Sequence, residues 1–324
     1  MRKVTFAIEQ WPTKSPFSIT GYTFTEARVL YVTLTENNCT GQGEATGVYY
    51  LDESADSMLV QANSIKKELE QGVDREALQT LLPAGGARNA IDCALWDLEA
   101  KLSGQSIWEL TDIEPHDITT VNTVGIDTLE KMAAIAAAFD TPVIKVKLDN
   151  RLCLERIQAI RAARPDAEIV VDANQGWTLE QLVDLAPKLK KSGVAMIEQP
   201  LPRGSDQPLE NYRSPLPLCA DESCLDSSEL AQAAQRYQMI NIKLDKTGGL
   251  TEALALAHQA QSKGLQLMVG NMIGTSLAMA PGLVIAQLCR FVDLDGALLL
   301  QDDRRPAMNY TGGRVSTPSP ELWG

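Results

Sequence analysis

From about Thr119 the chain settles into a repeating pattern: a short apolar run, a polar turn, then a longer stretch with apolar residues at helical spacing. The apolar runs fall near 119–124, 143–147, 168–172, 195–198, 217–220, 239–243, 266–269 and 290–293. Each is short and bounded by polar residues, as expected of a strand buried on both faces of a parallel sheet. Helical stretches are predicted near 128–139, 151–164, 178–191, 226–236, 249–262 and 275–288, while 201–216 reads as a loop with at most a short helix. Eight strands joined by helical crossovers predict an α/β fold, a TIM-type (β/α)7β barrel, over residues 116–299.

The first hundred residues carry a different pattern. Ala27 to Thr35 alternates apolar and polar positions, Glu36-Asn37-Asn38 supplies a turn, and a second strand runs into Gly43-Glu44-Ala45. Helices are predicted from about Ser54 to Glu70 and from Ala87 to Leu102. In the latter, Ala90, Ile91, Ala94, Leu95, Leu98 and Leu102 share one face. Strands followed by helices indicate an α+β domain over residues 1–115. The tail, 300–324, replaces the last barrel helix and is predicted to return to that domain.

Bulk properties narrow the function classes. The 324 residues suffice for one large barrel with an accessory domain. A net charge of −13 excludes nucleic acid as partner, because no basic stripe offsets phosphate repulsion. Gly264 to Cys289 contains no charged residue, yet it holds Gln266, Asn271, Thr275, Ser276, Pro281, Gln287 and four glycines. A buried strand, a loop and a core helix account for it better than a membrane span. The N-terminus has no apolar signal region, and the six cysteines show no CxxC spacing, so a cytoplasmic protein with reduced cysteines is expected. Homo-oligomerisation is left open.

The candidate chemistry sits at the strand ends. Ile144-Lys145-Val146-Lys147 and Ile240-Asn241-Ile242-Lys243 close the second and sixth barrel strands, four apart in a ring of eight. Asp172, Glu198 and Asp221 close the third, fourth and fifth, on the arc between the lysines. Polar residues at the C-terminal ends of barrel strands face the active-site mouth. Three carboxylates with no neighbouring Cys or His suit Mg²⁺, which prefers hard oxygen ligands. Such an ion can hold a substrate carboxylate and spread the charge formed when the adjacent Cα–H loses its proton.

A lysine serves as the base only where its pKa falls toward working pH, through burial and a second positive charge. Lys145 lies two residues before Lys147 on the same strand face and supplies that charge. One base suffices for elimination. Two bases on opposite faces of a planar carbanion allow removal on one side and return on the other, which inverts configuration. On the eighth strand, Asp293 and Asp295 share a face and can hold a cation at the far end of the same molecule. A carboxylate at one end and an ammonium about one residue away describe a dipeptide. The competing use of these acids is pairing with Arg304 or Arg305 in the tail.

These residues resemble the enolase superfamily, and more narrowly its muconate-lactonizing-enzyme subgroup, with KxK, DxN, E, DE and K on successive barrel strands. Within it the chain is most similar to dipeptide epimerases of the L-Ala-D/L-Glu type, also through Leu82–Ala90, Cys93–Leu98, Asn241–Ala255 and Asp293–Gly296. The resemblance spans the whole chain and implies that the N-terminal domain caps the barrel. It implies Lys147 and Lys243 as acid/base catalysts and Asp172, Glu198 and Asp221 as Mg²⁺ ligands. Lys145, Asn174, Asp293 and Asp295 are the implied substrate-binding residues. Lys246 is the rival base, but it lies beyond the strand in the Thr247-Gly248-Gly249 loop.

One departure bears on specificity. Glutamyl-specific epimerases carry an arginine after a Pro-Phe pair in the capping loop. Here Pro16-Phe17 is followed by Ser18-Ile19-Thr20-Gly21-Tyr22-Thr23. Lys14 is the nearest substitute cation, and Tyr22, Phe24, Tyr49 and Tyr50 are the alternative, an apolar pocket. Competing activities are an o-succinylbenzoate synthase or muconate cycloisomerase, and an N-succinylamino-acid racemase. Those substrates lack a free ammonium group, so the acids at 293 and 295 discriminate. A barrel that only binds is the non-enzymatic alternative. Histidine-dependent racemase chemistry is disfavoured, because His116 precedes the barrel and His258 lies within a helix.

Overall fold

The computed structural model describes residues 2–324, and all counts below refer to them. The N-terminal sheet is antiparallel, in the order β1 (Lys3–Ile19), β2 (Tyr22–Glu36), β3 (Cys39–Ala45). β1 was not anticipated. It is an edge strand, largely exposed, and it carries Pro12 and Pro16 with a register irregularity between Pro12 and Phe17. Prolines of that kind are tolerated only at edges and bulges, and in the sequence they argue against a strand. The helix expected over 54–70 is broken at Ile65 into Ala55–Ser64 and Lys66–Glu70. The helix Gly86–Ser103 packs on the sheet so closely that a Cβ at Gly43 would lie 2.1 Å from the Ala90 carbonyl oxygen.

A two-residue strand β4 (Ile118–Thr119) precedes the barrel and pairs with β14 (Arg314–Val315), itself paired with β13 (Tyr310–Thr311). The barrel strands are β5 (Asn122–Val124), β6 (Val143–Lys147), β7 (Glu168–Asp172), β8 (Val194–Glu198), β9 (Leu218–Ala220), β10 (Met239–Lys243), β11 (Gln266–Gly270) and β12 (Phe291–Val292). They pair in sequential parallel order. The two ends of the sheet meet where the Val121 N–H donates to the Val292 carbonyl at 2.8 Å. The expected TIM-type barrel is therefore present, with the antiparallel cap beside it.

Gly264 to Cys289 forms β11 and the helix Ser276–Ala286, and no helix is long and apolar enough to cross a membrane. All six cysteines are free. The tail returns to the cap as expected: Trp323 is buried, its Nε1 donates to the Cys93 carbonyl at 2.9 Å, and Gln42 Nε2 donates to the Leu322 carbonyl at 2.7 Å.

Candidate active site

The barrel interior is closed by an apolar floor of Val121, Val143, Val170, Met196, Cys219, Met239, Met268 and Phe291, one residue per strand. Side chains alternate along a strand, so residues two further on face inward again. Those are Thr123, Lys145, Asp172, Glu198, Asp221, Asn241, Gly270 and Asp293. One apolar layer is thus followed by a ring that is almost entirely polar and buried. The parallel register sets Lys147 beside Asp172 and Asp172 beside Glu198.

Asp172, Glu198 and Asp221 converge: one carboxylate oxygen from each lies within 4.8 Å of the others. Around them stand the amines. Lys145 Nζ lies 2.7 Å from Glu198, 2.7 Å from Asp293 and 3.3 Å from Asp172. Lys147 Nζ lies 2.6 Å from Asp172, and Lys243 Nζ lies 2.7 Å from Asp221. Glu198 Oε2 and Asp221 Oδ2 nevertheless accept no well-aligned hydrogen bond although both are buried. Three buried carboxylates converging from three adjacent strands make a set of hard oxygen donors that fits a divalent cation, which would be held by these three acids.

Burial and crowding separate the titrations. Burial pushes the Glu198 carboxyl up to about 7, reinforced by Asp172 and opposed by Lys145. Burial also works against ionised Asp221, yet Lys243 and Lys246 hold it below the usual carboxylate range. A catalytic lysine was expected to lose basicity through burial, with Lys145 as the added positive charge beside it. Burial does act in that direction, but Asp293, Glu198 and Asp172 hold the Lys145 ammonium well above the ordinary lysine value. Asp221 likewise raises Lys243. The carboxylates outweigh burial because they sit in direct contact with the amines.

Lys246 belongs to a short helix, Leu244–Thr247, where a loop was expected. It is fully enclosed, donating to Asp221 Oδ1 and to the carbonyls of Asp221, Cys224 and Asn241. Lys147 and Lys243, by contrast, line a cavity of about 60 Å³ together with Asn174, Asp221 and Glu222. The cap supplies its roof through Phe17, Ile19, Phe24, Tyr49 and Tyr50. Tyr22, Phe24, Tyr49 and Tyr50 do cluster, with ring centroids 4.5–5.4 Å apart. The pocket is not purely apolar, because Tyr50 Oη and Glu222 Oε2 are buried there without partners.

The β1–β2 tip rests on the barrel through Thr20 Oγ1, which donates to the Leu148 and Ala173 carbonyls. The loop carrying the two tyrosines is anchored by Asp245, which accepts the N–H groups of Thr46 (3.1 Å) and Gly47 (2.9 Å). Asp293 and Asp295 are both buried. Arg304 pairs with Glu9 and Glu44 instead of either. Asp293 is not a free acid, however, since it pairs with Lys145, and Asp295 accepts the Thr123 N–H at 2.7 Å. Lys14 Nζ donates to the Leu298 carbonyl and is absent from the cavity wall. His116 and His258 are exposed.

Residues 1–111 match the family described as mandelate racemase / muconate lactonizing enzyme, N-terminal domain, and residues 127–320 match enolase C-terminal domain-like. The chain belongs to this family. It is 47% identical to the L-Ala-D/L-Glu epimerase of Escherichia coli strain K12, over 97% of this chain and 99% of that one. It is 41% identical to the N-acetyl-D-glutamate racemase of a Pseudoalteromonas species, over 91% and 95%. A solved enolase family member from Agrobacterium tumefaciens, with homology to dipeptide epimerases and with bound sodium and L-Ala-L-Glu, superposes with a TM-score of 0.98. It is 39% identical, with both chains fully covered. Like these epimerases and racemases, the chain is an isomerase.

Proposed function

We propose that the chain is a Mg²⁺-dependent dipeptide epimerase that inverts the Cα of the C-terminal residue of an L-Ala-D/L-Glu-like dipeptide. The observation that carries this reading is that Lys147 and Lys243 line one cavity from different strands, with the acid cluster between them. Mg²⁺ suits three convergent carboxylates better than a soft or monovalent ion does. When bound, it supplies positive charge beside the substrate carboxylate and so favours ionisation of the neighbouring Cα–H.

The protein groups then divide the work. Lys145, committed to acids on three strands, holds fixed positive charge at the inner end of the site, and Asn174 borders the Lys147 side of the cavity. One lysine takes the Cα proton while the other, as ammonium, returns one to the opposite face. Lys243 against Asp221 rests in the ammonium state this second role requires. Lys246 has no donor to spare and drops out as a base. Asp295 and Asp293 would receive the N-terminal ammonium of the dipeptide.

Incubation with L-Ala-L-Glu and MgCl2 in D₂O tests the reading. The expected result is one deuterium at the glutamyl Cα and appearance of the D-epimer. No deuterium uptake by any member of a dipeptide library would overturn it.

A second reading, racemisation of an N-acylated amino acid, draws support from the pairing of Asp293 with Lys145, which leaves Asp295 as the one acid for an ammonium group. Burial and Asp293 push Asp295 up to about 7, so its charge is the weaker attraction. N-acetyl-L-glutamate in the same assay separates the two.

A further inference from the structure

The polar ring above the barrel floor has one member that carries no charge and still reaches the acid cluster. Asn241 Nδ2 donates to Glu198 Oε1 at 2.7 Å, spanning from the sixth barrel strand to the fourth. Both side chains are buried, at 1% and 0% exposure. One Glu198 oxygen is thereby fixed, while the other, Oε2, lies 2.7 Å from Lys145 Nζ, so the carboxylate that converges with Asp172 and Asp221 is held at both oxygens.

The seventh strand makes room for this contact. A Cβ on Gly270 would lie 2.7 Å from both amide atoms of Asn241 and 3.0 Å from Lys243 Cε. Gly270 is not among the glycines with positive φ, so its backbone does not require glycine. The missing side chain serves the neighbouring strand. A purely structural asparagine would also have both ends of its amide satisfied. Here Oδ1 is buried and accepts nothing, which leaves it for a donor that enters with the ion.

We infer that Asn241, seated in the space left by Gly270, is the positioning residue of the metal centre: it orients Glu198 for a divalent cation. The inference rests on the metal reading above. Partners of ligating carboxylates typically change metal affinity by about 10- to 100-fold when removed.

Titration calorimetry of the full chain with MgCl2 tests it, using wild type, Asn241→Leu and Gly270→Ala, with circular dichroism confirming that each variant is folded. Asn241→Leu keeps the side-chain volume and removes the donor. Gly270→Ala keeps the donor and displaces it. Both are expected to raise the Mg²⁺ Kd by about 10- to 100-fold, and to shrink the rise in unfolding temperature that Mg²⁺ produces in wild type. If Asn241→Leu fails to fold, Gly270→Ala decides. Folded variants with the wild-type Kd would overturn the inference and leave the metal reading standing. A wild-type protein that takes up no Mg²⁺ would overturn both.

Discussion

Lys147 and Lys243 occupy equivalent places on strands that face each other in the barrel, so each commands one side of the cavity. Lys147→Ala and Lys243→Ala are each expected to abolish net inversion while one stereoisomer still exchanges its Cα proton with solvent. Proton NMR in D₂O distinguishes the two cases, and full turnover in either variant removes that lysine from its role. Tyr50 offers a different test. Its hydroxyl is buried without a partner, so Tyr50→Phe is expected to raise stability by up to about 1 kcal/mol, read by thermal unfolding without ligand. The charged members of the site were legible because each interrupts or ends an apolar run. Asn241 and Gly270 were not, since an uncharged residue within a strand acquires meaning only from its neighbour across the sheet. The one signal in the sequence was the two-residue step from each floor residue.

Among the elements, the loop from Thr46 to Glu53 shows how the cap is held to the barrel. Asp245 anchors it from the short helix after β10, and burial pushes that carboxyl up to about 6. An acid whose pKa is raised by folding costs the folded state when ionised. The native form binds its proton where the unfolded chain has lost it, so stability falls as pH rises through that range. Asp245→Asn keeps an acceptor for Thr46 and Gly47 and removes the ionisation. Its unfolding temperature is expected to decline less than that of wild type between pH 5 and about 7, and an unchanged slope would exclude Asp245 as a source. The barrel strands were readable because a buried parallel strand is apolar on both faces. β1 was hidden, since an exposed edge strand with two prolines has neither that signature nor a clean alternation.

For the molecule as a whole, the cap depends on a segment more than two hundred residues away in the chain. Trp323 is buried in the main core and donates to the Cys93 carbonyl of the cap helix Gly86–Ser103. Trp323→Ala is expected to cost about 3–5 kcal/mol, visible as a lower denaturant midpoint, with the cap helices losing amide protection before the barrel. The return of the tail was legible only as a direction, because the contacts that fix it are long-range. The roof of the cavity comes from the cap and its floor from the barrel. Variation in five roof positions can therefore retune which guest is admitted while the proton-handling machinery stays untouched, so a library confined to Phe17, Ile19, Phe24, Tyr49 and Tyr50 should redirect selectivity without rebuilding the catalyst.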